Sequence, residues 1–248
     1  MAEVVILTLL IFVAALLYST VGHGGASGYL AAMALFGLAP ETMKPTALVL
    51  NLFVTSVGTF RYARAGCFAW NVFWPFAAVS VPLAFQGGTM QLPPHVYRLI
   101  LGFVLLFAAW RLAIKQSAHA PAQLRPILLP VALLLGAAIG LLSGLTGVGG
   151  GIFLSPLLLL VGWADVRKTA GVSAAFILVN SVAGLAGQVV RGHGFHSLPH
   201  QLLWWAPAAL IGGLLGSELG SRRLTPLTMR RLLAAVLVVA GLKMLFAR

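Results

Sequence analysis

The sequence predicts an all-α polytopic membrane protein with about ten hydrophobic segments in two inverted repeats, with broken or re-entrant helices at two glycine clusters. Three observations predict this fold: high hydrophobicity, two long uncharged runs, and a pattern that occurs once in each half. Hydrophobic residues make up 60% of the 248 residues and charged residues 8%, whereas a soluble domain carries roughly 25% charged residues.

The uncharged runs are long enough for several membrane crossings. No Asp, Glu, Lys or Arg occurs between Glu3 and Glu41, or between Arg125 and Asp165. A spanning helix needs about 20 mostly apolar residues. Each run can therefore hold two crossings, the second of them short.

The apolar blocks and the residues that interrupt them give the elements in order. The first repeat, residues 1–114, contains segments near 4–21, 26–39, 45–63, 70–87 and 95–114. The polar stretch 115–126, KQSAHAPAQLRP, is the expected linker. The second repeat, residues 127–248, contains segments near 127–145, 151–162, 169–190, 201–220 and 228–246. The second segment of each half is the shortest, which indicates a broken or re-entrant helix.

The two halves also resemble each other residue by residue. Three glycines recur 125 positions later: Gly22, Gly24 and Gly25 correspond to Gly147, Gly149 and Gly150. After a one-residue slip, an acid and a lysine recur 124 positions later: Glu41 and Lys44 correspond to Asp165 and Lys168. Rare charges in the same order after the same glycine cluster indicate an internal duplication.

The charges predict the orientation and exclude one class of partner. If all ten segments cross, five crossings per half place the halves in opposite orientations, as in many transporters. Eleven of the sixteen Lys and Arg residues then fall on one side, in the direction of the positive-inside rule. That rule explains the net charge of +12 without nucleic acid as a partner.

The glycine clusters are the candidate binding backbone. Glycine lets a helix unwind, and unwound backbone inside a membrane is tolerated only when it is buried in protein or lines a wet cavity. Freed N–H groups and a helix N-terminus together bind anions. The residues expected to do so are Gly22, His23, Gly24 and Gly25 with Thr146, Gly147, Gly149 and Gly150. The alternative is plain helix packing, which is the interpretation for IGGLLGSELG at 211–220.

Polar side chains near these clusters have two possible roles. Asn51, Ser56, Asn180 and Ser181 either supply hydrogen bonds to a ligand or bridge helices. His23, whose repeat partner is Val148, is a candidate for proton coupling or for hydrogen bonding to the ligand. Lys44 and Lys168 either guard the two mouths of an anion path or belong to helix-start capping groups with the preceding acids.

The sequence gives no reason to expect a metal or a cofactor. Cys67 is the single cysteine, which excludes an internal disulfide and a cysteine metal site. The histidines near loops have no matching acidic ligands. A membrane-embedded enzyme needs a nucleophile with its base, or clustered carboxylates, and His23 alone does not supply them.

The motifs "GLTGVGGGIFLSPLLLL" and "ADVRKTAGVSAAFILVNSVAGL" resemble the sulfite exporter TauE/SafE family of membrane permeases, and "VGHGGASGYLAAMALFGLAPETMKPTALVLN" resembles the same repeat more loosely. The first copy departs from it at His23, at Ala26 in place of Gly151, and at Ala32–Met33. The resemblance implies a multi-pass protein of the bacterial inner membrane that carries a small anion, often sulfite or a sulfonate. A passive anion channel and a non-transporting scaffold subunit remain the alternatives, and the sequence leaves the oligomeric state open.

Overall fold

The computed structural model describes residues 2–113, 124–192 and 198–222, together with residues 238, 241, 242 and 245. This part of the chain is helical and contains no strand, which confirms the all-α prediction. Its helices are α1 (Ala2–Ser19), α2 (Ala26–Leu35), α3 (Pro40–Arg64), α4 (Trp70–Thr89), α5 (Pro94–Ala113), α6 (Leu129–Thr146), α7 (Gly151–Val161), α8 (Val166–Val190) and α9 (Leu202–Arg222). Most of the tenth predicted segment and most of the predicted linker lie outside the described residues.

Length and composition identify the helices that can span a membrane. Four described helices are long and apolar enough to cross: Ala2–Ser19, Leu129–Thr146, Val166–Val190 and Leu202–Gly220. Large apolar side chains also cover the outer surface of the bundle. Leu160 and Leu203, for example, are 79% and 77% exposed. A surface of this kind suits contact with lipid, so the structure is that of a multi-pass membrane protein.

The long helices run between two faces of the bundle. Tyr62, near the end of α3, donates a hydrogen bond to the carbonyl oxygens of Ser19 and Thr20, so α1 and α3 end together. We call the face where α1 and α3 begin the N-terminal face. The opposite face, which carries Arg61, Arg64, Arg125, Arg167 and Lys168, is called the basic face.

Glycines set the closest helix contacts. In α6, a side chain at Gly136, Gly140 or Gly144 would collide with the carbonyl oxygens of Phe76, Ser80 and Ala84 in α4. In α9, a side chain at Gly212, Gly216 or Gly220 would collide with the carbonyl oxygens of Phe12 and Leu16 in α1 and of Thr20 directly after it. Small residues four apart allow this approach between membrane helices. The packing interpretation of 211–220 is confirmed, and both helix pairs run parallel.

Helices α2 and α7 are too short to cross a membrane. They have 10 and 11 residues, or roughly 15 Å at 1.5 Å per residue, against about 30 Å of hydrocarbon. In α7, Gly151 lies beside Ile177 and the Ser155 hydroxyl is 2.7 Å from that of Ser173, so α7 runs opposite to α8. Helix α7 thus leads from the middle of the bundle to the basic face.

Helix α2 is placed in the same way in the other half. Gly28 of α2 packs against Ala14 and Tyr18 of α1, so the chain turns back after α1. Helix α2 then leads from the middle to the N-terminal face. Each of these short helices, called half-helices below, follows one of the glycine stretches.

Candidate functional site

The glycine stretches are unwound because their backbone angles require it. Gly22 and Gly25 have φ of +76° and +102°, and Gly147, Gly149 and Gly150 have φ of +81°, +83° and +83°. These angles lie in the left-handed region, which side chains disfavour and glycine adopts freely. The breaks in the helices are therefore encoded by the glycines themselves.

The two stretches meet in the interior of the bundle. His23 Nε2 donates a hydrogen bond to the carbonyl oxygen of Gly151, at 3.1 Å. Asn51 of α3 touches both stretches. A Cβ atom on Gly24 would collide with its Oδ1, and one on Gly149 would lie 2.8 Å from its Nδ2. The starts of α2 and α7 thus lie close to the same asparagine.

Backbone donors are concentrated at this junction. Gly25 and Gly150 are the N-caps of α2 and α7, and neither helix start receives a side-chain cap. Within the described part of the chain, no acceptor faces the N–H groups of three buried residues in each half: Gly24, Gly25 and Ala26, and Gly149, Gly150 and Gly151. Two helix N-termini with free N–H groups form an electropositive region without any charged side chain.

Asn51 is the polar side chain at the centre of this region. Its side chain is fully buried, and its Nδ2 donates to the Ser181 hydroxyl of α8 at 3.3 Å. Its Oδ1 accepts no hydrogen bond from the described residues. A buried acceptor without a donor costs about 1–3 kcal/mol. The arrangement can be completed by a ligand or water that brings a proton donor.

Two other predicted site residues have different environments. Thr146 is buried, and its hydroxyl donates to the Leu142 carbonyl at 2.7 Å, so it stabilises the end of α6. Asn180 is engaged at both ends of its amide: Oδ1 accepts from the Ser80 hydroxyl at 2.7 Å and Nδ2 donates to a backbone oxygen of its own helix. Asn180 thus bridges α8 and α4.

The prediction for Ser56 is wrong. Its side chain is exposed rather than buried at the junction, because consecutive residues of a helix are rotated by about 100°. Its neighbour Thr55 is buried and lies beside Gly24, with its hydroxyl donating to the Asn51 carbonyl at 2.7 Å. Thr55 is the residue that faces the junction.

The contacts also correct the predicted correspondence between Lys44 of the first half and Lys168 of the second. Gly147 packs against Lys44, whereas its counterpart Gly22 packs against Ala170. The structural counterpart of Lys44 is therefore Ala170, two positions beyond Lys168. Lys44 is 9% exposed and its Nζ donates to the Gly87 carbonyl at 3.3 Å. The two ends of the bundle consequently differ in charge.

Lys168 lies in a different setting from Lys44. Its ammonium is 3.9 Å from the Asp165 carboxylate, and both side chains are substantially exposed. Asp165 is the N-cap of α8 and accepts from the Lys168 N–H at 2.9 Å, so the capping interpretation is confirmed for this half. In the other half the N-cap of α3 is Ala39, and Glu41 lies in the first turn.

A cavity opens at the N-terminal face next to Lys44. It has a volume of about 490 Å³ and is lined by residues from α3, α4, α5, α6 and α8, Gln188, Arg191, Glu41 and Tyr97 among them. The Tyr97 hydroxyl donates to the Thr146 carbonyl at 3.1 Å, so the cavity adjoins the second glycine stretch. Sequence reasoning missed Gln188 and Tyr97, because nothing in their local sequence distinguishes them from ordinary helix residues.

The basic face is closed at the corresponding position. Gly22 packs on the Ala170 backbone, and Gly171 packs on the carbonyl oxygen of Cys67. Cys67 is 5% exposed and lies in a small buried cluster with Tyr62 and Ala170. Among the described residues, no group of three His, Cys, Asp or Glu side chains could hold a metal ion.

These features define a polytopic helical membrane protein in which two unwound glycine stretches meet in the interior of the bundle. Comparison with known proteins assigns the class. The sulfite exporter TauE/SafE family matches residues 7–244, and the chain belongs to that family.

The relatives cover the chain from end to end. A probable membrane transporter protein, y4hK of Sinorhizobium fredii, is 40% identical over 98% of this chain and 99% of its own. Probable membrane transporter proteins of Methanocaldococcus jannaschii and Bacillus subtilis are 26% and 25% identical, covering 94% and 95% of this chain and 92% and 96% of their own. No solved structure matches the chain significantly. Membrane transport is therefore the class of function.

Proposed function

We propose that the protein is a secondary transporter that moves a small anion, sulfite or a related sulfur oxyanion or organosulfonate, across the bacterial inner membrane by alternating access. The observation that carries the proposal is the meeting of two unwound glycine stretches and two half-helix starts beside Asn51. In the proposed site, the N–H groups of both stretches hold the anion's oxygens, and Asn51 and Ser181 add side-chain hydrogen bonds. Where the anion carries a proton, its O–H group donates a hydrogen bond to Asn51 Oδ1.

The anion would bind to neutral donors rather than to a fixed countercharge. Backbone N–H groups and helix dipoles favour an anion by moderate amounts, about 0.3–1 kcal/mol for each exposed helix end and up to roughly 2 kcal/mol in partly buried geometry. Such a site replaces part of the hydration of the anion without trapping it. Moderate binding suits a carrier, which must release its cargo on each cycle.

Inverted repeats would give the site two equivalent exits. Equivalent contacts in the two halves support this arrangement. Gly58 packs on Ala174, and Gly184 packs on Leu48. Gly184 lies 126 residues after Gly58, and Ala174 lies 126 residues after Leu48. The two parallel helix pairs also correspond: α1 of the first half matches α6 of the second, and α4 matches α9, so the pair α4–α6 is equivalent to the pair α9–α1. In the proposed cycle, the two halves exchange conformations. The N-terminal face, which is open in this structure, then closes, and the basic face opens.

The charge distribution supports the orientation of the cycle. Five basic residues that define the basic face are Arg61, Arg64, Arg125, Arg167 and Lys168, and by the positive-inside rule this face is cytoplasmic. The cavity beside Lys44 then opens to the outside. His23, which joins the two stretches, is the candidate for coupling transport to protons.

The experiment that tests the proposal is uptake of labelled sulfite by liposomes containing the purified protein. Sulfate, thiosulfate and a small sulfonate serve as competitors, and uptake is measured with and without a proton gradient. Saturable uptake that one competitor blocks supports an anion carrier. Uptake no greater than that of empty liposomes, in either orientation, would remove sulfite as a substrate.

A further inference from the structure

We propose that the cavity at the N-terminal face is a second anion site, an outer capture site in which Lys44 and Gln188 bind the hydrated substrate before it reaches the glycine stretches. This inference rests on the proposed anion transport and adds a site to it. It also predicts that the two sides of the transporter differ in apparent affinity.

Lys44 supplies the charge. Its side chain is 9% exposed and lies in the cavity wall, where its Nζ contacts a single backbone carbonyl, that of Gly87 at 3.3 Å. An ammonium group has three donors, so two remain for a ligand. No ion pair with Glu41, three residues earlier, is present in the described structure. A lysine held inside a membrane protein without a carboxylate partner favours an anion from outside the chain.

Gln188 supplies the second observation. It is 5% exposed and lines the same cavity, and its Nε2 donates to no acceptor in the described part of the chain. A buried amide donor without an acceptor costs about 1–3 kcal/mol, which a bound oxyanion would recover. Gln188 lies on α8 and Lys44 on α3, so the two donors approach the cavity from different helices.

The remaining groups around the cavity favour an anion over a cation. Arg191 and Glu41, the single acidic residue of the lining, are both exposed. With Lys44, the lining has two positive charges and one negative charge. A volume of about 490 Å³ lies within the roughly 300–1,000 Å³ of small-molecule sites and is much larger than a bare sulfur oxyanion. The anion can therefore enter with some of its hydration water.

The cavity also leads to the central site. Lys44 packs against Gly147, and Tyr97 in the cavity wall donates to the carbonyl of Thr146. An anion at Lys44 would therefore need to pass only Gly147 and Val148 to reach Gly149. At the closed face Ala170 packs on Gly22 as Lys44 packs on Gly147, so the side chain in that position is uncharged, and the five basic residues of that face lie elsewhere.

The test compares Lys44→Gln with Lys168→Gln. Both lysines follow an acidic residue by three positions, but Lys168 is exposed and lies near Asp165, which makes it the matched control. Sulfite uptake is measured in right-side-out and inverted membrane vesicles. For sulfite that enters from the N-terminal face, Lys44→Gln is expected to raise the half-saturating concentration about tenfold, which corresponds to 1.4 kcal/mol. For sulfite that enters from the other side, the rise should be less than twofold. Lys168→Gln should change neither.

Sulfite-dependent thermal stabilisation of the purified proteins separates this inference from the proposed function. Lys44→Gln and Gln188→Leu should need about tenfold more sulfite than the wild type and Lys168→Gln, and Lys44→Arg should restore the wild-type value. Equal sulfite dependence in Lys44→Gln and Lys168→Gln, or an equal rise on both sides in the vesicles, would overturn the capture site. If the wild-type protein binds sulfite in this assay but does not transport it into liposomes, the proposed transport of sulfite is rejected and the capture site is retained.

Discussion

Gly149 is the position where one methyl group tests the proposed site most sharply. Its φ of +83° is in the left-handed region, and a Cβ atom there would lie 2.6 Å from Ile177 Cγ2 and 2.8 Å from Asn51 Nδ2. Gly149→Ala therefore strains the backbone and pushes on the asparagine that joins both glycine stretches. We expect the variant to remain folded and to lose most of its sulfite uptake.

The size of the perturbation follows from these two effects. A non-glycine residue in the left-handed region costs about 1–2 kcal/mol, and overpacking a well-packed interior costs about 1–3 kcal/mol. Their combined cost, roughly 2–5 kcal/mol, is below the stability of most proteins, about 5–15 kcal/mol. Displacement of Asn51 by a fraction of an ångström is enough to change the hydrogen-bonding geometry at the junction.

Gly37→Ala is the matched control. Gly37 has φ of +73°, and nothing lies within 4 Å of the position that its Cβ would take. This variant carries the same backbone strain without a clash at the site. Thermal unfolding should show a loss of about 1–2 kcal/mol for Gly37→Ala and a larger loss for Gly149→Ala, and uptake should fall only in Gly149→Ala. Wild-type uptake by Gly149→Ala would refute the role assigned to the glycine junction.

Four further predictions separate binding, packing and conformational change. Asn51→Leu should lower uptake more than tenfold while changing unfolding stability by less than about 1 kcal/mol, because the loss of the 3.3 Å hydrogen bond to Ser181 is offset by removal of an acceptor that has no donor. Asn180→Leu should instead cost about 1–3 kcal/mol, since Ser80 loses its acceptor. Ser56→Ala should match the wild type in uptake and in thermal unfolding, and a clear loss of uptake would return this residue to the site. Gly140→Val should destabilise the protein by about 3 kcal/mol, because its side chain meets the backbone of α4; an unchanged unfolding temperature would contradict the packing of α6 on α4. Alkylation of buried Cys67 by N-ethylmaleimide should be slow and should accelerate when a transported sulfonate is added, whereas a rate that no anion changes would contradict opening of the basic face.

The helices and the breaks between them could be predicted from the sequence, because they depend on hydrophobicity and on the positions of the glycines. Each of the first nine predicted segments contains a helix. Seven of these segments are apolar blocks of 18 or more residues, which have few alternatives in a membrane. The breaks before α2 and α7 were predictable because glycines at Gly22, Gly25, Gly147 and Gly150 take backbone angles that other residues avoid. The short half-helices that follow them were visible from the length of the apolar blocks.

The rotation of the long helices was not predictable from the same signals. Lys44 and Lys168 align in the sequence because both follow an acid at the start of a helix, yet the packing pairs Lys44 with Ala170. A shift of two residues turns a helical side chain by about 200°, which places one lysine in a cavity and leaves the other exposed. Ser56 and Thr55 differ in the same way.

The hydrogen-bond partners of the buried amides could not be read from the sequence either. Asn51 and Asn180 both lie in the middle of a long helix, but only Asn51 touches the glycine stretches. The difference arises from α4, which brings Ser80 to Asn180. Such contacts depend on how helices distant in the sequence pack together.

The central claim is that the protein carries a small anion by changing conformation around the glycine junction. The most direct measurement is counterflow: liposomes containing the protein are loaded with unlabelled sulfite, and the uptake of trace labelled sulfite is followed. A carrier exchanges one anion for another, so we expect a transient accumulation of label that disappears in Gly149→Ala and persists in Gly37→Ala. Label that only equilibrates, at a rate independent of the internal sulfite, would contradict alternating access and indicate a passive channel.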